Sequence, residues 1–257
     1  MKIQGNTFAV TGATRGLGEA TARILVANGA NVILMGRSQE RGSNLERELG
    51  SRSFWPGPTD IKSEENVNSS LEKGISKFGS FRGVVHCAGI PANGRKLVED
   101  DGTTLDMEYI RENIETNLMG TIIICRIAAS KLVGVEPDEE GERGVLITTS
   151  SITAEDNLIG TLPYTASKAA INALTQVLAK ELADKCVRVM TISPGTFETG
   201  MLSEKDPVIF PYMQQFLRFP YRYGRPSEFA KLVLHVIENR YLNGTNIRID
   251  GAQRLTG

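Results

Sequence analysis

The fold of this 257-residue chain is decided by the stretch Thr7-Phe-Ala-Val-Thr11-Gly12-Ala-Thr14-Arg15-Gly16-Leu17-Gly18. A short β-rich run is followed by glycines and then by apolar residues at helical spacing up to Gly29, which predicts a strand, a glycine loop and a helix. The three glycines would let the backbone approach a pyrophosphate, whose charge the free amides of the helix N-terminus would meet. The spacing Gly-x-x-x-Gly-x-Gly differs from the Gly-x-Gly-x-x-Gly dinucleotide fingerprint. A glycine-rich turn without a ligand therefore stays an alternative.

Strands and helices alternate along the rest of the chain. Apolar runs predict strands at 31–35, 54–58, 83–89, 145–149, 187–192 and 246–249, and helical patterns cover 63–78, 107–132, the residues from Pro163 onward and 225–239. We expect an α/β fold, a Rossmann-type doubly wound parallel sheet of about seven strands with helices on both faces. The length suits one such domain over residues 1–257.

The end of the second strand indicates which dinucleotide the chain would bind. An acidic side chain there would hydrogen-bond a free ribose 2′-hydroxyl. Here the strand ends Met35-Gly36-Arg37, and Arg15 in the glycine loop points to the same region. Two guanidiniums and no carboxylate suit a 2′-phosphate, so we expect NADP(H) in preference to NAD(H). The alternative is that Arg37 is a solvated loop residue.

Ser151, Tyr164 and Lys168 bring a hydroxyl, a phenol and an ammonium into one short span. On a helix that begins near Pro163, Tyr164 and Lys168 share a face as an i,i+4 pair. The nearby positive charge would lower the pKa of the phenol toward a value useful for acid–base catalysis. Ser151 would join them from the loop after the fifth strand. A Tyr-x-x-x-Lys match alone is common, so it needs the support of the rest of the chain.

Composition and charge narrow the classes of partner. A hydrophobic content of 40% and a formal net charge of -1 give no basic excess for nucleic acid or an anionic membrane. Apolar runs such as Ile122 to Cys125 are too short for a transmembrane helix. The first strand follows the N-terminus at once, which leaves no room for a targeting peptide and makes a cytoplasmic location the default.

The three cysteines, Cys87, Cys125 and Cys186, are odd in number and scattered, and we expect buried reduced thiols. His86 lies in an apolar strand with no ligand cluster at a suitable spacing. We therefore expect a structural histidine and no metal site.

Three further features carry expectations of their own. Asn117 stands in the middle of a long helical pattern, which predicts a local kink or a bound water. The acidic stretch Glu136 to Glu142 is typical of a solvated connection. Between Phe197 and Arg225 seven phenylalanine and tyrosine residues gather with two methionines, which predicts an apolar lid over the substrate. These aromatic residues could instead fill the core or a subunit interface.

These motifs together resemble the short-chain dehydrogenase/reductase family over essentially the whole chain. The markers are Thr11-Gly-x-x-x-Gly16-x-Gly18, Cys87-Ala-Gly89, Asn117, Ser151, Tyr164-x-x-x-Lys168, and Pro194-Gly195 with Thr199. Within the family, Asn243-Gly-Thr-Asn-Ile-Arg-Ile-Asp-Gly251 and other segments are similar to the type-2 3-hydroxyacyl-CoA dehydrogenases, which also oxidise hydroxysteroids.

The resemblance implies a role for each matching residue. Tyr164 would be the general acid or base, Ser151 would hold the substrate oxygen, and Lys168 would lower the pKa of the phenol and bind the nicotinamide ribose. Asn117 would hold a water that links Lys168 to solvent. The implied cofactor-binding residues are Gly12, Thr14, Arg15, Gly16, Leu17, Gly18, Arg37, Asp60, Ile61, Cys87, Ala88, Gly89, Tyr164, Lys168, Pro194, Gly195, Thr196 and Thr199. The family also implies a homo-oligomer, a dimer or tetramer, formed through the helices of Asn117 and Tyr164.

Two positions depart from the family pattern. His86 stands where Asn is usual, and Gly36-Arg37 replaces the Asp that the hydroxyacyl-CoA relatives keep. We therefore expect an NADP(H)-dependent oxidoreductase that interconverts a ketone and a secondary alcohol on a small, apolar or elongated substrate. The alternatives are an NAD-dependent 3-hydroxyacyl-CoA or hydroxysteroid dehydrogenase, and a non-catalytic dinucleotide sensor or scaffold.

Overall fold

The computed structural model describes residues 1–199 and 209–255. In chain order its main elements are β1 (Thr7–Thr11), α1 (Gly16–Ala27), β2 (Asn31–Met35), α2 (Gln39–Leu49), β3 (Ser53–Phe54), α3 (Glu64–Phe78), β4 (Phe81–His86), α4 (Met107–Asn113), a π-helical segment (Ile114–Met119), α5 (Gly120–Val133), β5 (Gly144–Thr149), α6 (Thr153–Asp156), α7 (Leu162–Glu181), β6 (Val187–Pro194), α8 (Ile209–Gln214), α9 (Pro226–Glu238) and β7 (Asn246–Ile249).

The strands form one parallel sheet of seven in the order β3-β2-β1-β4-β5-β6-β7. This confirms the predicted single-domain, doubly wound Rossmann-type fold. The order reverses between β1 and β4, so the crevice for a ligand opens at the carboxyl ends of these two strands. The predicted third strand was too long, because pairing covers only Ser53–Phe54. Pro56 and Pro58, which lack the N–H needed for a ladder, end it.

Each face of the sheet carries its own apolar core. Phe8 and Val10 of β1 face the cluster of α1 and α9, whereas Ala9 between them faces the cluster of α3, α5 and α7. This alternation follows from the two-residue period of a strand. Fully burying a side chain such as Phe8 stabilises the fold by roughly 1.5–3 kcal/mol. The two cores hold the carboxyl ends of the strands in a fixed arrangement.

The long helical pattern around Asn117 is interrupted as predicted. Ile114–Met119 forms a π-helical segment between α4 and α5, and Asn117 within it is fully buried. By length and composition alone the combined helix Met107–Val133 could cross a membrane, but half of its most apolar window is buried inside the fold. The expected absence of a membrane partner stays a prediction.

The acidic stretch is more than a solvated connection, which corrects the expectation for Glu136 to Glu142. Glu142 is buried and accepts a 2.7 Å hydrogen bond from Nε of Arg188, which is buried too. Asp138 accepts two hydrogen bonds from Arg240, and this guanidinium lowers the pKa of Asp138 to about 2. A run of acidic residues is solvated only when no cations pack against it. Here Arg188 of β6 and Arg240, which follows α9, pack against the run.

The cysteine expectation is wrong for Cys186. The three cysteines are unpaired, and Cys125 is buried, but Cys186 is exposed at a left-handed position just before β6. Burial raises the pKa of Cys87 to about 11 and that of Cys125 to about 12, so both stay protonated thiols.

The aromatic residues after Phe197 divide between core and surface. Phe197, Phe216 and Tyr223 are buried, and Phe197 packs edge to face on Phe229 with ring centroids 6.4 Å apart. Phe219 and Tyr221 are 76% and 83% exposed. Met201 and the side chain of Phe210 lie outside the described residues. The predicted lid is therefore in part a core element, and the rest of that expectation stays a prediction.

Candidate active site

A cavity of about 250 Å³ opens at the carboxyl ends of β1, β2 and β4. It collects most of the residues predicted to bind a cofactor: Gly12, Thr14, Arg15, Gly16, Leu17, Gly18, Arg37, Asp60, Ile61, Cys87, Ala88, Gly89 and Thr199. The first amides of α1 have no partner within the helix and face this cavity, which suits an anion.

Two glycines of the loop are required by close approaches of the backbone. A Cβ on Gly12 would lie 2.9 Å from the amide nitrogen of Ala88, and Gly12 has a φ of +64°. A Cβ on Gly18 would lie 2.3 Å from the carbonyl oxygen of Gly12. Any side chain at these positions would push the loop away from β4 or from the start of α1. The glycine spacing is therefore matched to a tight cradle.

One end of the cavity is cationic. Arg15 and Arg37 lie there as predicted, and they are joined by Arg41 and Lys62, which sequence reasoning missed. Within residues 1–199 and 209–255 none of these four side chains forms an ion pair, and Asp60 is the one carboxylate of the described lining. Arg41 could have been noticed, because a cation in the first turn of a helix opposes the helix dipole unless an anion lies nearby. Gly36, noted with Arg37 in the sequence, also lines the cavity, and the other lining residues that were missed are Ser38, Thr59, Ile90 and Thr116.

Ser151, Tyr164 and Lys168 meet beside the carboxyl end of β5. Ser151 follows the strand, and Tyr164 and Lys168 lie one turn apart near the start of α7, with Pro163 in its first turn. The Oγ of Ser151 accepts hydrogen bonds from the backbone N and the Oγ1 of Thr153. Its own proton is therefore left to donate to a substrate oxygen or to the phenol oxygen of Tyr164, whose pKa the Ser151 hydroxyl acts to lower.

Lys168 is buried below Tyr164. Its Nζ donates a 2.8 Å hydrogen bond to the carbonyl of Thr149 and lies 5.7 Å from the centroid of the Tyr164 ring. Burial lowers the pKa of Lys168 to about 8, because desolvation disfavours the charged form.

The pKa of Tyr164 moves in the direction opposite to the expectation. Burial raises it, and the hydrogen bond with Ser151, which acts to lower it, is the smaller effect. Lys168 is not among the groups that shift the pKa of Tyr164, so the desolvation of the phenol prevails. The chain by itself keeps Tyr164 protonated, the form that can donate a proton.

Asn117 pins the loop after β4. Its Oδ1 accepts a 2.8 Å hydrogen bond from the amide of Ile90, and its Nδ2 donates to the carbonyl of Ile90. A Cβ on Gly89 would lie 2.9 Å from Oδ1 of Asn117 and 3.7 Å from Nζ of Lys168. Gly89, which lines the cavity, therefore lies directly beside Asn117 and Lys168. The predicted water at Asn117 stays a prediction.

Pro194, Gly195 and Thr196 do not line the cavity, although Thr199 does. Pro194 ends β6 and the other two follow it, and the amide of Gly195 donates to the carbonyl of Ile249 in β7. The structure places this loop next to β5 and the Ser151 turn, on the side of the site away from Arg37.

His86 has a structural environment, as expected. Its Nδ1 lies 2.7 Å from Oγ1 of Thr11, which also accepts from the amide of Ala88. Burial, with a smaller contribution from Lys168, lowers the pKa of His86 to about 3, so the ring is neutral. Among the described residues no His, Cys, Asp and Glu side chains cluster in a way that could hold a metal.

Comparison with known proteins agrees with this geometry. The short chain dehydrogenase family model matches residues 6–208. The chain is 37% identical over 253 residues to human 3-hydroxyacyl-CoA dehydrogenase type-2, covering 98% of this chain and 97% of that protein. It is 36% identical to ipsdienol dehydrogenase of Ips pini over 99% of both chains. The crystal structure of 3-hydroxyacyl-CoA dehydrogenase type-2 from Mycobacterium avium superposes with a TM-score of 0.93 at 35% identity, covering 100% of this chain and 99% of that one.

The chain therefore belongs to the short-chain dehydrogenase family. It is an oxidoreductase that acts on CH–OH or ketone groups of small molecules with a nicotinamide dinucleotide. The similarity to type-2 3-hydroxyacyl-CoA dehydrogenases confirms the resemblance that the sequence motifs indicated.

Proposed function

We propose that this protein is an NADP(H)-dependent ketone reductase that interconverts a ketone and a secondary alcohol. The observation that carries the choice of cofactor is the group of Arg15, Arg37, Arg41 and Lys62 at one end of the cavity. A 2′-phosphate offers these cations charge-assisted hydrogen bonds, whereas a free 2′-hydroxyl would leave them without an anion. The relatives named for 3-hydroxyacyl-CoA oxidation support the reaction class but leave the cofactor open.

The residues of the cavity, together with Lys168 and Tyr164 beside it, fit a dinucleotide. The glycine cradle and the N-terminus of α1 suit the pyrophosphate, Asp60 and Ile61 suit the adenine, and Lys168 and Tyr164 suit the nicotinamide ribose. Pro194, Gly195, Thr196 and Thr199 would complete the nicotinamide half. When bound, the cofactor supplies or accepts the hydride.

The protein's own residues would handle the proton. Tyr164, kept protonated by burial, donates its phenolic proton to the ketone oxygen as the carbonyl carbon is reduced, and it takes a proton back in the oxidation direction. Ser151 donates a hydrogen bond to the same oxygen. Lys168 stabilises the phenolate that remains, and Asn117 holds the water that returns a proton from solvent.

A small apolar cluster beside Ser151 supports an apolar or elongated substrate. Ile152, Phe216 and Leu255 are buried together, with Leu158 and Met213 packed against them. Because this cluster packs on the residue after Ser151, it gives the Ser151 turn an apolar backing, and we expect a hydrocarbon chain or ring next to the reacting carbonyl.

The proposal is tested by a screen of NADPH consumption over 3-oxoacyl thioesters, ketosteroids and aryl ketones, run in parallel with NADH. We expect turnover of at least one class with NADPH. Turnover confined to NADH with 3-oxoacyl thioesters or steroids would favour the alternative, an NAD-dependent hydroxyacyl-CoA or hydroxysteroid dehydrogenase. Dinucleotide binding without turnover of any class would favour a sensor or scaffold.

A homo-oligomer and a cytoplasmic location belong to the same proposal. Exposed apolar side chains on the helices of Asn117 and Tyr164, namely Met119, Val133, Leu162 and Val177, suit a contact between copies of the chain. The three unpaired cysteines suit a reducing compartment. Light scattering on the purified chain should give the mass of a dimer or tetramer, and a monomer would contradict this part of the proposal.

A further inference from the structure

The segment after β7 lies between two loops of the active site. Gln253 in this segment is only 1% exposed. The Oε1 of Gln253 accepts two hydrogen bonds from Thr196, from the backbone N at 2.9 Å and from Oγ1 at 3.0 Å. The loop that follows β6 is thus attached to the segment that follows β7 through one side-chain oxygen.

The other end of the segment is attached to the turn after Ser151. The amide of Leu255 donates a 2.9 Å hydrogen bond to Oδ2 of Asp156, and the Leu255 side chain packs on Ile152, the residue after Ser151. Arg248 pairs with both Asp156 and Asp250 and donates to the carbonyl of Gln253. These contacts fix the segment against the sheet.

The approach of Gln253 depends on a glycine. A Cβ on Gly195 would lie 2.9 Å from Oε1 of Gln253 and 2.9 Å from Cα of Asp250. A larger residue at position 195 would separate the loop from the segment. The Nε2 of Gln253 is buried and has no hydrogen-bond partner among the described residues. Since burying a donor without a partner is unfavourable, the carboxamide is placed for its oxygen.

We propose that Gln253 is a positioning residue for hydride transfer, which fixes Thr196 relative to the Ser151 turn. The Pro194 end of the same loop is held to that turn directly, because the amide of Ile152 donates to the carbonyl of Pro194. The inference rests on the proposed function in one respect, the assignment of that loop to the nicotinamide half of the cofactor. Gln253 acts through Thr196 and touches neither substrate nor cofactor. The loop would supply one wall for the ring that carries the hydride, and the Ser151 turn would hold the oxygen that receives the proton.

The test compares Gln253→Leu, which keeps the volume and removes the acceptor, with Gln253→Glu, which keeps an acceptor oxygen. Affinities are measured for NADPH and NADH and for their adenosine halves, 2′,5′-ADP and 5′-AMP. Because Gln253→Leu loses two hydrogen bonds, it should bind the whole dinucleotides roughly tenfold more weakly and have a lower kcat. Its affinity for the two adenosine halves should equal that of the wild type. Gln253→Glu should stay within about threefold of the wild type at a pH where the buried carboxyl is protonated, since its carbonyl oxygen accepts the same two donors.

The control is Arg254→Ala, which removes an exposed neighbour and should leave all four affinities within about twofold. If Gln253→Leu does not fold, Thr196→Ala provides the second variant. It removes one of the two donors and should weaken dinucleotide binding about threefold, again with the adenosine halves unaffected.

Wild-type dinucleotide affinity and kcat in Gln253→Leu would overturn the inference. So would an equal loss for dinucleotides and adenosine halves, which would indicate a merely structural role, and so would a loss in Gln253→Glu as large as in Gln253→Leu. Because NADPH and NADH are measured in parallel, a wild-type preference for NADH would refute the proposed cofactor and leave the result at Gln253 interpretable.

Discussion

The ammonium of Lys168 lies 5.7 Å from the centroid of the Tyr164 ring while it donates a hydrogen bond to the carbonyl of Thr149. The same burial that lowers the pKa of Lys168 raises that of Tyr164, so the two groups are both shifted toward their neutral forms. The site is thus arranged to give up a proton from the phenol to a substrate oxygen.

Replacing Tyr164 by Phe should abolish most of the turnover and leave cofactor affinity nearly unchanged. The phenolic proton is lost, and general acid–base catalysis contributes roughly 10²–10⁴-fold. The measurement is kcat beside the dissociation constant of the dinucleotide. Tyr212→Phe, which removes an exposed hydroxyl, serves as the control. A Tyr164→Phe enzyme with near wild-type kcat would refute the assignment of the acid.

Lys168 should make the stability of the protein depend on pH in the alkaline range. Its pKa falls from 10.5 to about 8 on folding, so between these values the unfolded chain binds more protons than the folded one. Stability from this group therefore rises with pH across that window, by at most about 1.4 kcal/mol per pH unit. The free energy of unfolding in denaturant is measured for the wild type and for Lys168→Met from pH 7 to 10. The buried thiols give an opposite trend in both proteins, so their contribution cancels in the difference between the two. If the difference in unfolding free energy between the two proteins does not change with pH, folding does not lower the pKa of Lys168.

Replacing Glu142 by Leu should destabilise the fold by about 3–5 kcal/mol, because the buried guanidinium of Arg188 would lose its countercharge. The free energy of unfolding in urea measures this change. Glu139→Leu is the matched control in the same loop, since Glu139 is exposed, and should change stability by less than about 0.5 kcal/mol. Equal effects of the two replacements would show that Glu142 is solvated, as its sequence context suggested.

Replacing Arg37 by Asp should shift the preference from NADPH toward NADH by roughly 10–100-fold. A charge-assisted hydrogen bond to the 2′-phosphate would be lost, and the new carboxylate would repel this group and accept a bond from a 2′-hydroxyl. The ratio of kcat/KM for the two cofactors measures the shift. Arg47→Asp, which makes the same change of net charge near the end of α2, should leave the ratio unchanged. An equal shift in both variants would mean that long-range charge, and not contact, sets the preference.

The fold could be predicted from residues close together in the sequence. The run Thr7 to Gly18 contains both the strand and the glycines that its turn requires, and β7 was predicted over the same four residues that pair in the sheet. Asn117 signalled a helix irregularity because its side chain competes for backbone groups. The prolines at positions 56 and 58 indicated that β3 is short. The strand was nevertheless predicted over 54–58 because these residues are mostly apolar.

Features that depend on distant partners could not be predicted. Glu142 lies 46 residues from Arg188 in the sequence, and nothing in the acidic run indicates that it pairs with a buried cation. The direction of the Tyr164 pKa shift depends on desolvation by the surrounding elements, whereas its spacing from Lys168 suggested only the charge. Lys62 and Arg41 join Arg37 because the sheet brings the starts of α2 and α3 together.

Selection of NADP(H) by the cation group at the ends of β1 and β2 is measured by kcat/KM of the wild-type enzyme with NADPH and with NADH on one ketone substrate. NADPH should be favoured by at least about tenfold, the effect of a single charge-assisted hydrogen bond. Equal or better use of NADH would contradict this selection.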